Sequence, residues 1–90
     1  MSETKYNPEQ FEETDTLNER FLVLHNDDYN TFDYVIDSLV EVCAHELEQA
    51  VQCAMIAHFK GKCDVKKGSF DYLRPMKQGL ISRNLKATID

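Results

Sequence analysis

The 90-residue chain is long enough for one domain with its own core and too short for two. Its 42% hydrophobic and 29% charged residues are the balance of a soluble globular protein. No apolar run approaches the ~18 residues of a membrane span, and Met1-Ser2-Glu3-Thr4-Lys5 lacks the basic-then-apolar start of a secretory signal, so the cytoplasm is the expected location. The net charge of −6 is unevenly laid out. Residues 21–59 carry seven acids and no Lys or Arg, whereas residues 60–86 carry eight basic residues against Asp64 and Asp71. An acidic half repels phosphate backbones, which argues against a nucleic-acid partner. A two-signed chain suits a protein partner on one side and a cationic group on the other.

Residues 1–19 are polar and acidic, with Phe11 and Leu17 too isolated to anchor them, and are expected to form a flexible arm before a domain over residues 20–90. Arg20 to His25 reads as a strand whose run Phe21-Leu22-Val23-Leu24 is too uniformly apolar for an exposed face. Asn26-Asp27-Asp28-Tyr29 follows as a turn. Thr31 is placed to cap a helix on which Phe32, Val35, Ile36, Leu39, Val40 and Cys43 recur at helical spacing, with Asp33 in its first turn. A second helix is expected from about Glu46, with Leu47, Ala50, Val51, Ala54, Ala57 and His58 on one buried stripe and Gly61 ending it. Ala44 and His45 are poor caps, which leaves its start unclear, and the small alanines imply close packing.

Lys62 to Gly68 alternates and is rich in lysine, as an edge strand would be. Ser69 can cap a third helix with Phe70, Leu73, Met76 and Leu80 on one face; Pro75 means that it either kinks or begins near Leu73, and Gly79 weakens it. Asn84 to Asp90 alternates as a last strand. The order β-α-α-β-α-β predicts an α+β fold with three helices packed on a small three-stranded antiparallel sheet.

Cys43, Cys53 and Cys63 are an odd number without a CxxC pair, so a disulfide framework or a thiolate zinc site is not expected; they read as buried apolar residues or free thiols. His45-Glu46-Leu47-Glu48 begins like a zinc-protease HExxH motif, but position 49 is Gln. His25 keeps a metal site open as a weak alternative, and a Cys–His nucleophile pair is unsupported by any electropositive setting. There is no glycine-rich phosphate loop and no GxSxG elbow. Neither an enzyme nor a cofactor is expected.

Two readings compete for Asn26-Asp27-Asp28. Side chains of this kind bond their own backbone in turns. They also suit an ammonium ion, which needs two or three acceptors in fixed geometry, one of them a carboxylate. Asn26 and Asp27, with His58 accepting through a neutral ring nitrogen, make such a set, and Phe32, Val35, Ala54 and Ala57 would wall an apolar cavity beside it.

Val23-Leu24-His25-Asn26-Asp27-Asp28-Tyr29, Phe32-Asp33-Tyr34-Val35-Ile36, Gln49-Ala50 and His58-Phe59-Lys60-Gly61-Lys62 closely resemble the ClpS family, adaptors that bring N-degron substrates to a Clp AAA+ unfoldase and its protease. The resemblance spans about residues 20–90. It implies that Asn26, Asp27 and His58 hold the substrate's α-amino group, that Asp28 and Asn30 belong to the turn shaping the site, and that Phe32, Val35, Ala54, Ala57 and, in the last strand, Leu85 line the pocket for a first residue of the Leu, Phe, Tyr or Trp type. It implies partners in N-degron substrates and in the N-terminal domain of a Clp ATPase of the ClpA or ClpC type. Docking on that ATPase is assigned to Asp71, Arg74 and Lys77, and the N-terminal arm would engage the unfoldase during delivery. The chain departs from the family where Asn30 stands for Thr, Phe32 and Ala54 for Met, and Ala57 for Val, which implies a pocket deeper at its base and narrower at its gate. The alternative is a protein-interaction domain like the C-terminal domain of the ribosomal stalk protein, with the same strand–helix order and no peptide pocket.

Overall fold

The computed structural model describes residues 18–90; the arm expected over 1–19 lies outside the described residues apart from its last two. Strand β1 (Arg20–His25) is followed by helices α1 (Phe32–Cys43) and α2 (Leu47–Lys60), strand β2 (Lys62–Gly68), helix α3 (Phe70–Ser82) and strand β3 (Lys86–Ile89). The sheet is antiparallel throughout in the order β2-β1-β3. The apolar run of β1 is thereby the central strand, and Leu22, Val23 and Leu24 are all buried. Lysine-bearing β2 is an edge, as expected.

Leu22 and Leu24 meet Leu39, Cys43, Ala50, Leu73 and Leu80 of the helices in one core cluster. Thr31 and Ser69 cap α1 and α3, their hydroxyls accepting from Tyr34 N at 3.1 Å and Tyr72 N at 3.2 Å. Of the two alternatives for α3, the helix begins at Phe70 and runs on through Pro75. Gly79, costly to the helix by propensity, serves its packing: a Cβ there would fall 2.8 Å from Val42 Cγ1, so its absence lets α3 lie against α1. Gly61, at φ 96°, closes α2.

Two expectations need correction. First, the last strand begins at Lys86 and not at Asn84. Asn84 adopts the left-handed conformation at φ 69°, and the amides of Asn84 and Leu85 return to the carbonyls of Ile81 and Leu80. Leu85 therefore sits in the turn that ends α3 and not in a strand. Second, the buried face of α2 is Ala50, Cys53, Ala54 and Ala57. Cys53, left out of the predicted stripe, turns its centre away from Leu47 and His58; Leu47 is 67% exposed and His58 is exposed as well. The start of α2, expected at about Glu46, is capped there, and neither poor cap before it serves: Ala44 is the C-cap of α1 in left-handed geometry, and His45 is buried. Its Nε2–H donates to the Val65 carbonyl at 2.7 Å. That carbonyl lies at a β-bulge, where pairing with β1 steps from Lys66 to Asp64 and leaves Val65 as an extra residue. His45 satisfies a backbone group that the bulge takes out of the ladder.

Candidate functional site

The central strand ends at His25, and the chain must then reach Thr31, the cap of α1. Asn26 N donates to the Gly61 carbonyl at 2.9 Å, which fastens the start of this turn to the end of α2. The turn is held by Asp27. One of its oxygens accepts from Tyr29 N at 2.9 Å and Asn30 N at 2.8 Å, and the other from Asn30 Nδ2 at 3.1 Å. Burial works to raise the Asp27 pKa. Hydrogen bonds from Asn30 and Tyr29, with the charge of Lys86, outweigh it and hold the carboxyl below its ordinary value of 3.8. Asp27 is therefore a fixed anion.

Asn30 does more than complete the turn. Its Nδ2 also donates to the Asn84 carbonyl at 2.9 Å, and Tyr34 Oη donates to the adjacent Arg83 carbonyl at 2.9 Å. The Arg83 guanidinium lies over the Tyr34 ring, 5.7 Å from its centroid, and 3.7 Å from the Asp37 carboxylate. Two segments more than 50 residues apart, the Asp27 turn and the turn carrying Leu85, are locked to each other.

Between α1, α2 and these turns opens a cavity of about 480 Å³. Its rim is polar, from Asn26, Asp27, Asp28, Asn30 and His58, and its depth is hydrocarbon, from Val35, Ala54, Ala57 and Leu85, with Phe32 beside them. Every residue expected to hold an amino group, to shape the turn or to line a pocket thus borders one cavity. Leu24 and His25 line it as well and were not anticipated. Leu24 is the last apolar residue before the turn and lies with Leu22 on the face of β1 that meets the helices, a face the uniformly apolar run did not reveal. His25 is tied through Nε2 to Thr88 Oγ1 at 2.8 Å. His58 makes an edge-on ring contact with Phe59, centroids 4.9 Å apart. A shallower groove of about 610 Å³ adjoins the cavity, sharing His25, Asn26 and Leu85 and continuing along Lys86 and Thr88.

Asp71, Arg74 and Lys77 take no part in this cavity. They recur every three residues on α3, Asp71 and Arg74 exposed and Lys77 half-buried. The cysteines are free and buried: burial pushes the Cys43 thiol up to about 11 and that of Cys63, hydrogen-bonded with Cys53, to about 12. Among the described residues no three His, Cys, Asp or Glu side chains stand together as metal ligands, and no helix is long and apolar enough to cross a membrane.

Acceptors around a fixed carboxylate above a hydrocarbon floor, on a small α+β scaffold, define a binding domain. Residues 18–88 match the family model described as ATP-dependent Clp protease adaptor protein ClpS, and the chain belongs to that family. Over 41 residues, 46% of this chain, it is 39% identical to the ATP-dependent Clp protease adapter protein ClpS of Edwardsiella ictaluri, and 37% identical over the same length to that of Serratia proteamaculans. The aligned stretch spans only 39% of the length of each of these relatives. The structure of Agrobacterium tumefaciens ClpS2 bound to L-phenylalaninamide shares the fold at a TM-score of 0.76 and 22% identity, covering 81% of this chain and 95% of that one.

Proposed function

We propose that this protein is a non-enzymatic cytoplasmic adaptor that binds the free N-terminal hydrophobic residue of substrate proteins, of the Leu, Phe, Tyr or Trp type, and delivers them to a Clp AAA+ unfoldase. The observation that carries the reading is the cavity in which Asn26, Asp27 and His58 stand at the rim above Val35, Ala54, Ala57 and Leu85. In this reading the rim residues accept hydrogen bonds from the α-ammonium group, Asp27 supplying the charge. Asp28 and Asn30 shape the turn, and the first side chain enters between α1 and α2 beside Phe32. The rest of the substrate leaves over the adjoining groove. The domain over residues 20–90 carries this site, and the arm over 1–19 engages the unfoldase. Asp71, Arg74 and Lys77 meet the N-terminal domain of an ATPase of the ClpA or ClpC type.

Charge-assisted hydrogen bonds contribute about 1.5–3 kcal/mol each and burial of one large side chain about 1.5–3, against an association cost of about 4 kcal/mol or more. Three such contacts and one buried side chain total about 6–12 kcal/mol before that cost and at most about 8 after it, so the tight limit of binding is near micromolar. The test is fluorescence anisotropy with a Leu-first peptide and its N-acetylated twin. The free peptide binds and the acetylated one loses at least tenfold; equal binding refutes the reading. A cavity between the two helices speaks against the stalk-type interaction domain, which requires none.

A further inference from the structure

The helices pack on the face of the sheet that carries Leu22 and Leu24. Alternation along β1 turns Phe21, Val23 and His25 to the opposite face. Cross-strand partners share a face, so the register lays that face out in rows. Lys67 and Asp90 flank Phe21, Asp64 and Thr88 flank Val23, and Lys62 and Lys86 flank His25. The last row holds two lysines about an imidazole and no acid. Both lysines are exposed. Among the described residues neither makes an ion pair, whereas Arg83 pairs with Asp37. Two like charges about two strand spacings apart, with no counter-charge between them, leave a positive potential over the end of β1.

The chain carries its own complement. Residues 9–19 contain Glu9, Glu12, Glu13, Asp15 and Glu19 and no Lys or Arg. The chain turns at Asn18 and enters β1 at Arg20, the end of the strand away from His25. At ~3.3 Å per residue β1 spans roughly 17 Å. An extended run of about five or six residues back from Asn18 covers that length and brings Glu12 and Glu13 level with His25. Consecutive side chains of an extended chain point to opposite sides, and Lys62 and Lys86 stand ~4.8 Å to either side of β1. One carboxylate thus falls to each lysine.

We propose that the acidic segment 9–17 folds back along the outer face of the sheet and seats Glu12 and Glu13 on the Lys62–His25–Lys86 row. The short tether holds the two glutamates near the row at an effective concentration on the order of millimolar. Exposed ion pairs are individually weak, so the seating is reversible and salt-sensitive. The row and an unfoldase compete for the same segment, and the arm is free for delivery only once it leaves the sheet. Lys86 also acts through its charge on Asp27, so an anion seated on Lys86 makes the rim of the cavity more negative. The seating itself is independent of what the cavity binds.

The test is paramagnetic relaxation enhancement on the full chain, with a nitroxide on Thr14→Cys; the three native cysteines are buried. Amides of His25, Lys62 and Lys86 lose intensity relative to the reduced, diamagnetic label, and more than amides of α1 do. The loss fades in ~1 M salt, where the screening length is ~3 Å, and in Glu12→Gln/Glu13→Gln. Lys62→Glu/Lys86→Glu abolishes it, and Glu12→Lys/Glu13→Lys in that background restores it. A uniform loss over the whole surface, or one centred on another face, overturns the seating. A loss at the row that ignores salt and the glutamine variant overturns its ionic basis. Isotope-labelled chain without the nitroxide, mixed with unlabelled chain that carries it, separates the occupants: loss at the row there assigns the arm to a second copy and overturns the fold-back. The salt comparison and the glutamine variant leave the sheet unaltered, so they decide the matter even where a lysine variant fails to fold.

Discussion

Asp27→Asn separates the two jobs assigned to one carboxylate. In the folded chain one Asp27 oxygen accepts two backbone amides and the other accepts Asn30 Nδ2. An asparagine keeps an oxygen for the amides, so the turn survives, but its NH₂ then faces the NH₂ of Asn30, donor against donor. The structural cost is one hydrogen bond to an ionised carboxylate, about 1.5–3 kcal/mol, and Asn30 retains its bond to the Asn84 carbonyl. The cost to ligand binding is separate. An α-ammonium loses the Asp27 carboxylate and meets a donor in its place, which forfeits about 1.5–3 kcal/mol, or roughly 10- to 150-fold in Kd. Urea denaturation and anisotropy with a free N-terminal Leu or Phe peptide read the two effects on the same preparation. The expected result is a domain within about 3 kcal/mol of wild type whose peptide affinity falls by tenfold or more. Binding within about threefold of wild type refutes the assignment of Asp27 as the ammonium's anion and leaves it a turn residue alone.

Two further substitutions test how the site is supported. Asn30→Ala removes the link between the Asp27 and Leu85 turns and one cause of the lowered Asp27 pKa, so NMR titration finds that carboxyl closer to 3.8. Because the folded pKa lies below the unfolded one, the Asp27 contribution to stability is present above pH ~4 and is lost as pH falls through the folded value. The variant's deficit in urea denaturation is accordingly larger above pH ~4 than well below it, and a deficit independent of pH counts against the Asn30–Asp27 bond. Gly79→Ala puts a Cβ 2.8 Å from Val42 Cγ1. Overpacking at about 1–3 kcal/mol outweighs a helix-propensity gain of about 1, so the variant is destabilised. In a Val42→Ala background the same change becomes neutral or stabilising, and strict additivity in the double-mutant cycle refutes the contact.

Features set by neighbouring residues were legible in the sequence, and features set by distant ones were not. The buried run of β1, the periodic face of α1, and the caps Thr31 and Ser69 depend on short-range pattern and appear where that pattern places them. His45 looks like a poor cap because nothing in its own segment announces the bulge at Val65 that it serves. Gly79 looks like a defect until Val42 is beside it. Leu85 reads as a strand residue because Leu, Ala and Ile alternate after Asn84, yet the left-handed Asn84 turns the chain before the strand begins.

The cavity itself draws on three separated segments, and no periodicity could have brought Asn26 and Leu85 to one wall. The residues supplied the chemistry, and the family resemblance supplied the expectation that they meet. Asp27 shows why the plain and the functional reading of the Asn-Asp-Asp turn were never true competitors. An ammonium site needs an acceptor whose position and charge do not relax away when the ligand arrives. The hydrogen bonds that make Asp27 an ordinary turn residue hold it in place and keep it ionised. They leave lone pairs on an oxygen shared with a single amide donor, at the rim of a cavity. The local turn chemistry is what would make the carboxylate a preorganised acceptor.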